Sequence, residues 1–126
     1  MTAYRKDIDY DEELTEVEVI QGSQLKKGDT QPDLIVRLIE DDVAQDLSGF
    51  TPTLKARNTY TGHVAVNNTA QVQSVRNGIV KYDWQVGDTD EPGIYAAEIT
   101  IDDGGGNVIT FPNARTFLIV IEDTVV

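Results

Sequence analysis

A chain of 126 residues and 13.9 kDa has room for one domain of ordinary size. With 40% hydrophobic and 25% charged residues, it carries enough apolar material for one core and too much for a disordered chain. The absence of cysteine excludes disulfides, thiolate zinc sites and thiol nucleophiles and suits a reducing compartment, while a net charge of −12 disfavours nucleic acid and anionic membrane surfaces as partners.

In chain order, the first segment reads MTAYRKDIDYDEEL. It lacks the apolar run of a secretory signal, and no stretch approaches the roughly 20 apolar residues of a membrane helix, so a soluble chain that is not Sec-exported is expected. Residues 1–14 form an acidic arm in this reading. It is too poor in aliphatic side chains to order alone and suited to gain order against a neighbouring subunit. From Thr15 onward the alternation has the period of two that marks half-buried strands, which places a single domain over residues 15–126. Nine strands are predicted: Glu16 to Ile20, Asp33 to Ile39, Thr51 to Arg57, Gly62 to Asn67, Ala70 to Arg76, Ile79 to Trp84, Gly93 to Asp102, Asn107 to Phe111 and Arg115 to Glu122. No segment has a convincing helical period.

Turn residues separate these runs at Lys27-Gly28-Asp29, Ser48-Gly49, Asn77-Gly78, Glu91-Pro92-Gly93 and Asp102 to Asn107. Asn77-Gly78 is the strongest hairpin signal, because both residues tolerate positive φ. Short strands at about ten-residue spacing, with no helix to carry a parallel crossover, predict an all-β antiparallel sandwich of eight or nine strands. Val80, Tyr82 and Trp84 are expected to face inward, as are Tyr95, Ala97, Ile99 and Ile101. Phe117-Leu118-Ile119-Val120-Ile121 is apolar on both faces, so its outer side, Leu118 and Val120, is either covered or meets a partner. Glu91-Pro92-Gly93-Ile94-Tyr95 fits a tyrosine corner, which narrows the sandwich to the immunoglobulin-like kind.

Chemistry has little to build on. His63 is the only histidine and predicts a surface residue, Gly104-Gly105-Gly106 lacks the helix and basic residue of a phosphate cradle, and no pair of carboxylates is marked as a glycosidase acid and base. Asn67-Asn68-Thr69 satisfies the glycosylation sequon but lies in a chain without an export signal. Asp7, Asp9, Asp11 and Glu18 occupy the first, third, fifth and twelfth places of a calcium loop, yet Glu12 stands where glycine is needed. The sequence therefore predicts no catalytic residue, no cofactor and no metal site. The charge reads as a solubility device, with adaptation to high salt as the sharper alternative.

From Lys26 onward the order of motifs is similar to that in the N-terminal domain of phage baseplate upper proteins. The pieces are Lys27-Gly28-Asp29-Thr30-Gln31-Pro32, Leu34 to Leu38, Asp46-Leu47-Ser48-Gly49, Gly78 to Trp84, Gly93-Ile94-Tyr95 and Thr110-Phe111-Pro112. The resemblance implies an immunoglobulin-like assembly module of a tailed-phage virion, made in the host cytoplasm, whose partners are other virion structural proteins and copies of itself. Proteins of that kind continue into further segments, whereas this sequence ends at Val126, which raises a small tail, neck or capsid decoration protein alongside the baseplate. The expected contact residues are Tyr4, Ile8, Tyr10 and Leu14 in the arm, with Leu118 and Val120 on the last strand. The alternative is a free-standing microbial carbohydrate- or protein-binding module, which would need its exposed aromatics, Tyr4, Tyr10 and Tyr60, on one face.

Overall fold

The structure, a computed structural model, describes residues 14–125. Eleven strands fill it, and no helix occurs among the described residues. They are β1 Thr15–Gln21, β2 Gln24–Lys26, β3 Leu34–Glu40, β4 Val43–Ala44, β5 Thr51–Asn58, β6 Val64–Thr69, β7 Gln71–Ser74, β8 Ile79–Tyr82, β9 Gly93–Asp102, β10 Val108–Phe111 and β11 Phe117–Glu122. One sheet runs β1-β3-β8-β7, with β4 also paired to β3. The other runs β2-β11-β9-β5-β6, with β10 sharing an edge of β9 with β11. All ladders are antiparallel except β2 with β11, which is parallel at Gln24 to Val120, Leu25 to Ile121 and Lys26 to Glu122.

The two sheets press their inward faces together. Leu34, Val36 and Leu38 of β3 and Val80 and Tyr82 of β8 come from one side, and Leu54 and Ala56 of β5, Tyr95, Ala97, Ile99 and Ile101 of β9 and Ile119 of β11 from the other. The predicted inward residues are all buried, including Trp84, which lies beyond the end of β8. Its ring meets Tyr82 edge to face, with centroids 5.3 Å apart and planes at 87°, the arrangement that the ring quadrupoles favour.

Two strands beyond the predicted nine appear, and both are short. β2 buries only Leu25, which is too little for a period to register. β4 is joined to β3 by a two-residue turn in which Asp41 and Asp42 both have positive φ, 51° and 67°. That geometry is normally signalled by Asn-Gly, so Asp-Asp gave no warning. Asn77-Gly78 does close a hairpin, between β7 and β8, and Gly78 has φ 66°.

A side-chain hydrogen bond fixes the start of β9. The Tyr95 hydroxyl donates to the Glu91 carbonyl oxygen, four residues upstream, at 2.7 Å. Gly93 clears the way, since a Cβ there would lie 2.8 Å from the Asn58 amide nitrogen. At the opposite side of the sandwich, Thr15 ties β1 to the end of β10, donating its hydroxyl to Thr110 and accepting at its carbonyl from the Asn113 N–H.

Candidate functional site

The alternation that buries Phe117, Ile119 and Ile121 turns Leu118 and Val120 outward, onto the open face of the six-stranded sheet. In register beside them stand the outward residues of β9, with Ile94 opposite Val120 and Ala96 opposite Leu118. Leu118 is 55% exposed and Ile94 49%. Directly opposed side chains on one face lie in contact range, so these four residues form one apolar strip. Ile94 and Ala96 are additions to the expected contact set. Their signal was the outward phase of the strand whose inward phase is Tyr95 to Ile101.

Next to the strip, Arg57 stands opposite Ala96, and Lys55 stands opposite Glu98. Both cations are exposed and make no ion pair among the described residues. Three other basic side chains are paired, whereas Lys27, Arg76 and Arg115 likewise make no ion pair among the described residues. Lys26 pairs with Glu122 at 3.1 Å, Arg37 with Glu18 at 2.8 Å, and Lys81 lies 3.6 Å from Asp83. A patch that is apolar and locally basic therefore sits on a chain of net charge −12.

Around the corner from the strip, a groove of about 470 Å³ separates β1 from the start of β11. Leu14, Val17, Pro112 and Phe117 supply its apolar walls, and Arg115 stands at its margin. Leu14 is 48% exposed and held by its backbone, with its N–H donating to the Asp41 carboxylate and its carbonyl accepting from the Asp41 N–H. The expected contact residues thus fall on two adjoining surfaces: Leu118 and Val120 on the sheet face, and Leu14 in the groove. Tyr4, Ile8 and Tyr10 lie outside the described residues.

Other candidates take ordinary places. Glu18, the twelfth position of the calcium-loop spacing, is committed to Arg37, and the first, third and fifth positions lie outside the described residues. His63 is exposed, its Nδ1 3.7 Å from the Glu91 carboxylate. Tyr60 is fully exposed on the β5–β6 turn and stacks on no other ring among the described residues. The Asp102 to Asn107 tip is tied down by its own carboxylates. Asp102 accepts from the Gly104 N–H at 2.7 Å. Asp103 accepts from the N–H groups of Gly105 and Asn107 and from the Asn107 side-chain amide. Those bonds, the Asn107 side chain first, hold the Asp103 carboxyl below its ordinary range.

No protein-family model matches this chain, and no curated protein matches it. What the domain does is therefore argued from its own surfaces.

Proposed function

We propose that this protein is an immunoglobulin-like assembly module that works through protein–protein contacts in a tailed-phage virion, in the tail, baseplate or neck. The observation that carries the reading is the apolar strip Ile94, Ala96, Leu118 and Val120, flanked by Lys55 and Arg57, which make no ion pair among the described residues. Continuous exposed apolar area on a small domain marks an interaction surface more often than a catalytic one.

Three further features support the finer parts of the proposal. The order β1-β3-β8-β7 against β11-β9-β5-β6 reads as A-B-E-D against G-F-C-C′ of an immunoglobulin-type sandwich. The hydroxyl of Tyr95, at the start of the strand in the F position, reaches back to the Glu91 backbone as a tyrosine corner does. The motif order from Lys26 to Pro112 is similar to that of phage baseplate upper proteins and supplies the virion context.

The test is the mass of the purified protein by light scattering across protein and salt concentrations, with imaging of any assembly. A concentration-dependent multimer or ring is the expected result. A strict monomer that binds glycans would replace this reading with the carbohydrate-binding one.

A further inference from the structure

The groove between β1 and β11 has a property that apolar lining alone does not give it. In β11 the backbone groups that point away from β9 belong to alternate residues. Val120 donates its N–H to the Ser23 carbonyl at 2.8 Å, and the Glu122 carbonyl accepts from the Lys27 N–H at 2.7 Å. By the same alternation Leu118 aims its N–H and C=O at that edge, but the β2 ladder begins only at Val120, so no strand lies beside Leu118 among the described residues. The opposite wall repeats the pattern. Leu14 bonds to Asp41 on the β3 side and Thr15 to Asn113 on the other, which directs the Val17 N–H and C=O into the groove, where no described residue meets them. Two edge residues, Val17 in one wall and Leu118 just beyond Phe117 in the other, thus border an apolar slot with backbone groups that no described residue meets, and an unprotected edge of this kind is a template for another chain.

We infer that this slot receives the segment Asp7–Asp11 of a second copy, which adds a strand to the β11 edge at Leu118. The inference rests on the assembly reading above and names its contact. Asp7-Ile8-Asp9-Tyr10-Asp11 is the one strictly alternating run in the arm, apolar on one side and acidic on the other. As an added strand it puts Ile8 and Tyr10 on the same side, against Leu14, Val17, Pro112 and Phe117, while its three carboxylates share the outer face with Leu118 and lie nearest Arg115, with the Lys55–Arg57 cations further in across β11 and β9. Arg115, like those two, makes no ion pair among the described residues. A fold-back of the same chain is the competing occupant, distinguished by protection that does not change with dilution.

The experiment follows light-scattering mass and amide hydrogen exchange together on the full chain, from dilute to concentrated solution. The expected result is that the Leu118 and Val17 amides exchange quickly in the monomer and slow by at least about tenfold as the chain associates. An Ile8→Asp/Tyr10→Asp variant should associate roughly tenfold or more weakly while melting at the wild-type temperature. Association with Leu118 still exchanging at the monomer rate overturns this contact and leaves the assembly reading standing. Protection of Leu118 that is the same at every dilution, with the mass staying monomeric, overturns the second-copy assignment. A chain that neither associates nor protects Leu118 at any concentration overturns both.

Discussion

The phenol of Tyr95 does two jobs, filling the core at the start of β9 and fixing the turn before it through Glu91. A Tyr95→Phe change keeps the packing and orphans the carbonyl, so chemical denaturation should show a loss of about 1–3 kcal/mol. Trp84 is the larger anchor, and Trp84→Ala should cost roughly 3–5 kcal/mol, measured the same way. Both this tryptophan and the inward run of β9 were legible as alternation, because a period of two depends only on neighbours in sequence. The pH dependence comes from Tyr82 and Tyr95. Burial pushes both phenols above the ordinary value of 10.0, and for Tyr82 the hydrogen bond to Asp88 adds to it. The folded state therefore holds these protons where the unfolded chain releases them. Their stabilisation is complete below pH 10 and lost as pH rises through the folded values. Urea midpoints should hardly respond to these groups between pH 7 and 9 and should fall above 10. Tyr82→Phe should flatten part of that fall.

Among the elements, the two hairpins of the five-stranded sheet give opposite expectations. Gly78 has φ 66°, and a Cβ there would stand 2.6 Å from the Leu38 carbonyl oxygen, while its own carbonyl accepts from the Leu38 N–H. Gly78→Ala should therefore destabilise by about 1–3 kcal/mol from backbone strain alone. Asp42 holds a left-handed conformation at φ 67° without that excuse, so Asp42→Gly should raise stability by up to about 1 kcal/mol, less the entropy glycine adds to the unfolded chain. Asp41 is left in place because it binds Leu14. This pair also marks the limit of sequence reading. Asn77-Gly78 announces its turn, whereas Asp41-Asp42 adopts one that only the packing of β4 on β3 requires. The same holds for the surfaces. Leu118 and Val120 were visible as the outer phase of an apolar strand. The groove depends on where β2 starts pairing with β11, a long-range register that no local pattern encodes.

At the scale of the whole molecule, charge decides how stability responds to salt. Twenty-two acidic against ten basic residues leave −12 on one small chain, and the ion pairs among the described residues are exposed or half-exposed, so each adds little. The dominant electrostatic effect is then mutual repulsion among carboxylates, which unfolding relieves by spreading the charge. Screening weakens that repulsion once the Debye length falls from about 30 Å at 0.01 M to about 8 Å at 0.15 M, less than the width of the domain, and further salt has little more to remove. The melting temperature should accordingly climb over the first few tenths molar of potassium chloride and then level off, if the charge serves solubility. A scan by calorimetry from low salt to several molar checks this. A melting temperature still rising steeply above about 0.5 M lies beyond what screening supplies. It would assign the acidity to cation uptake at the folded surface, as in a chain adapted to a saline habitat.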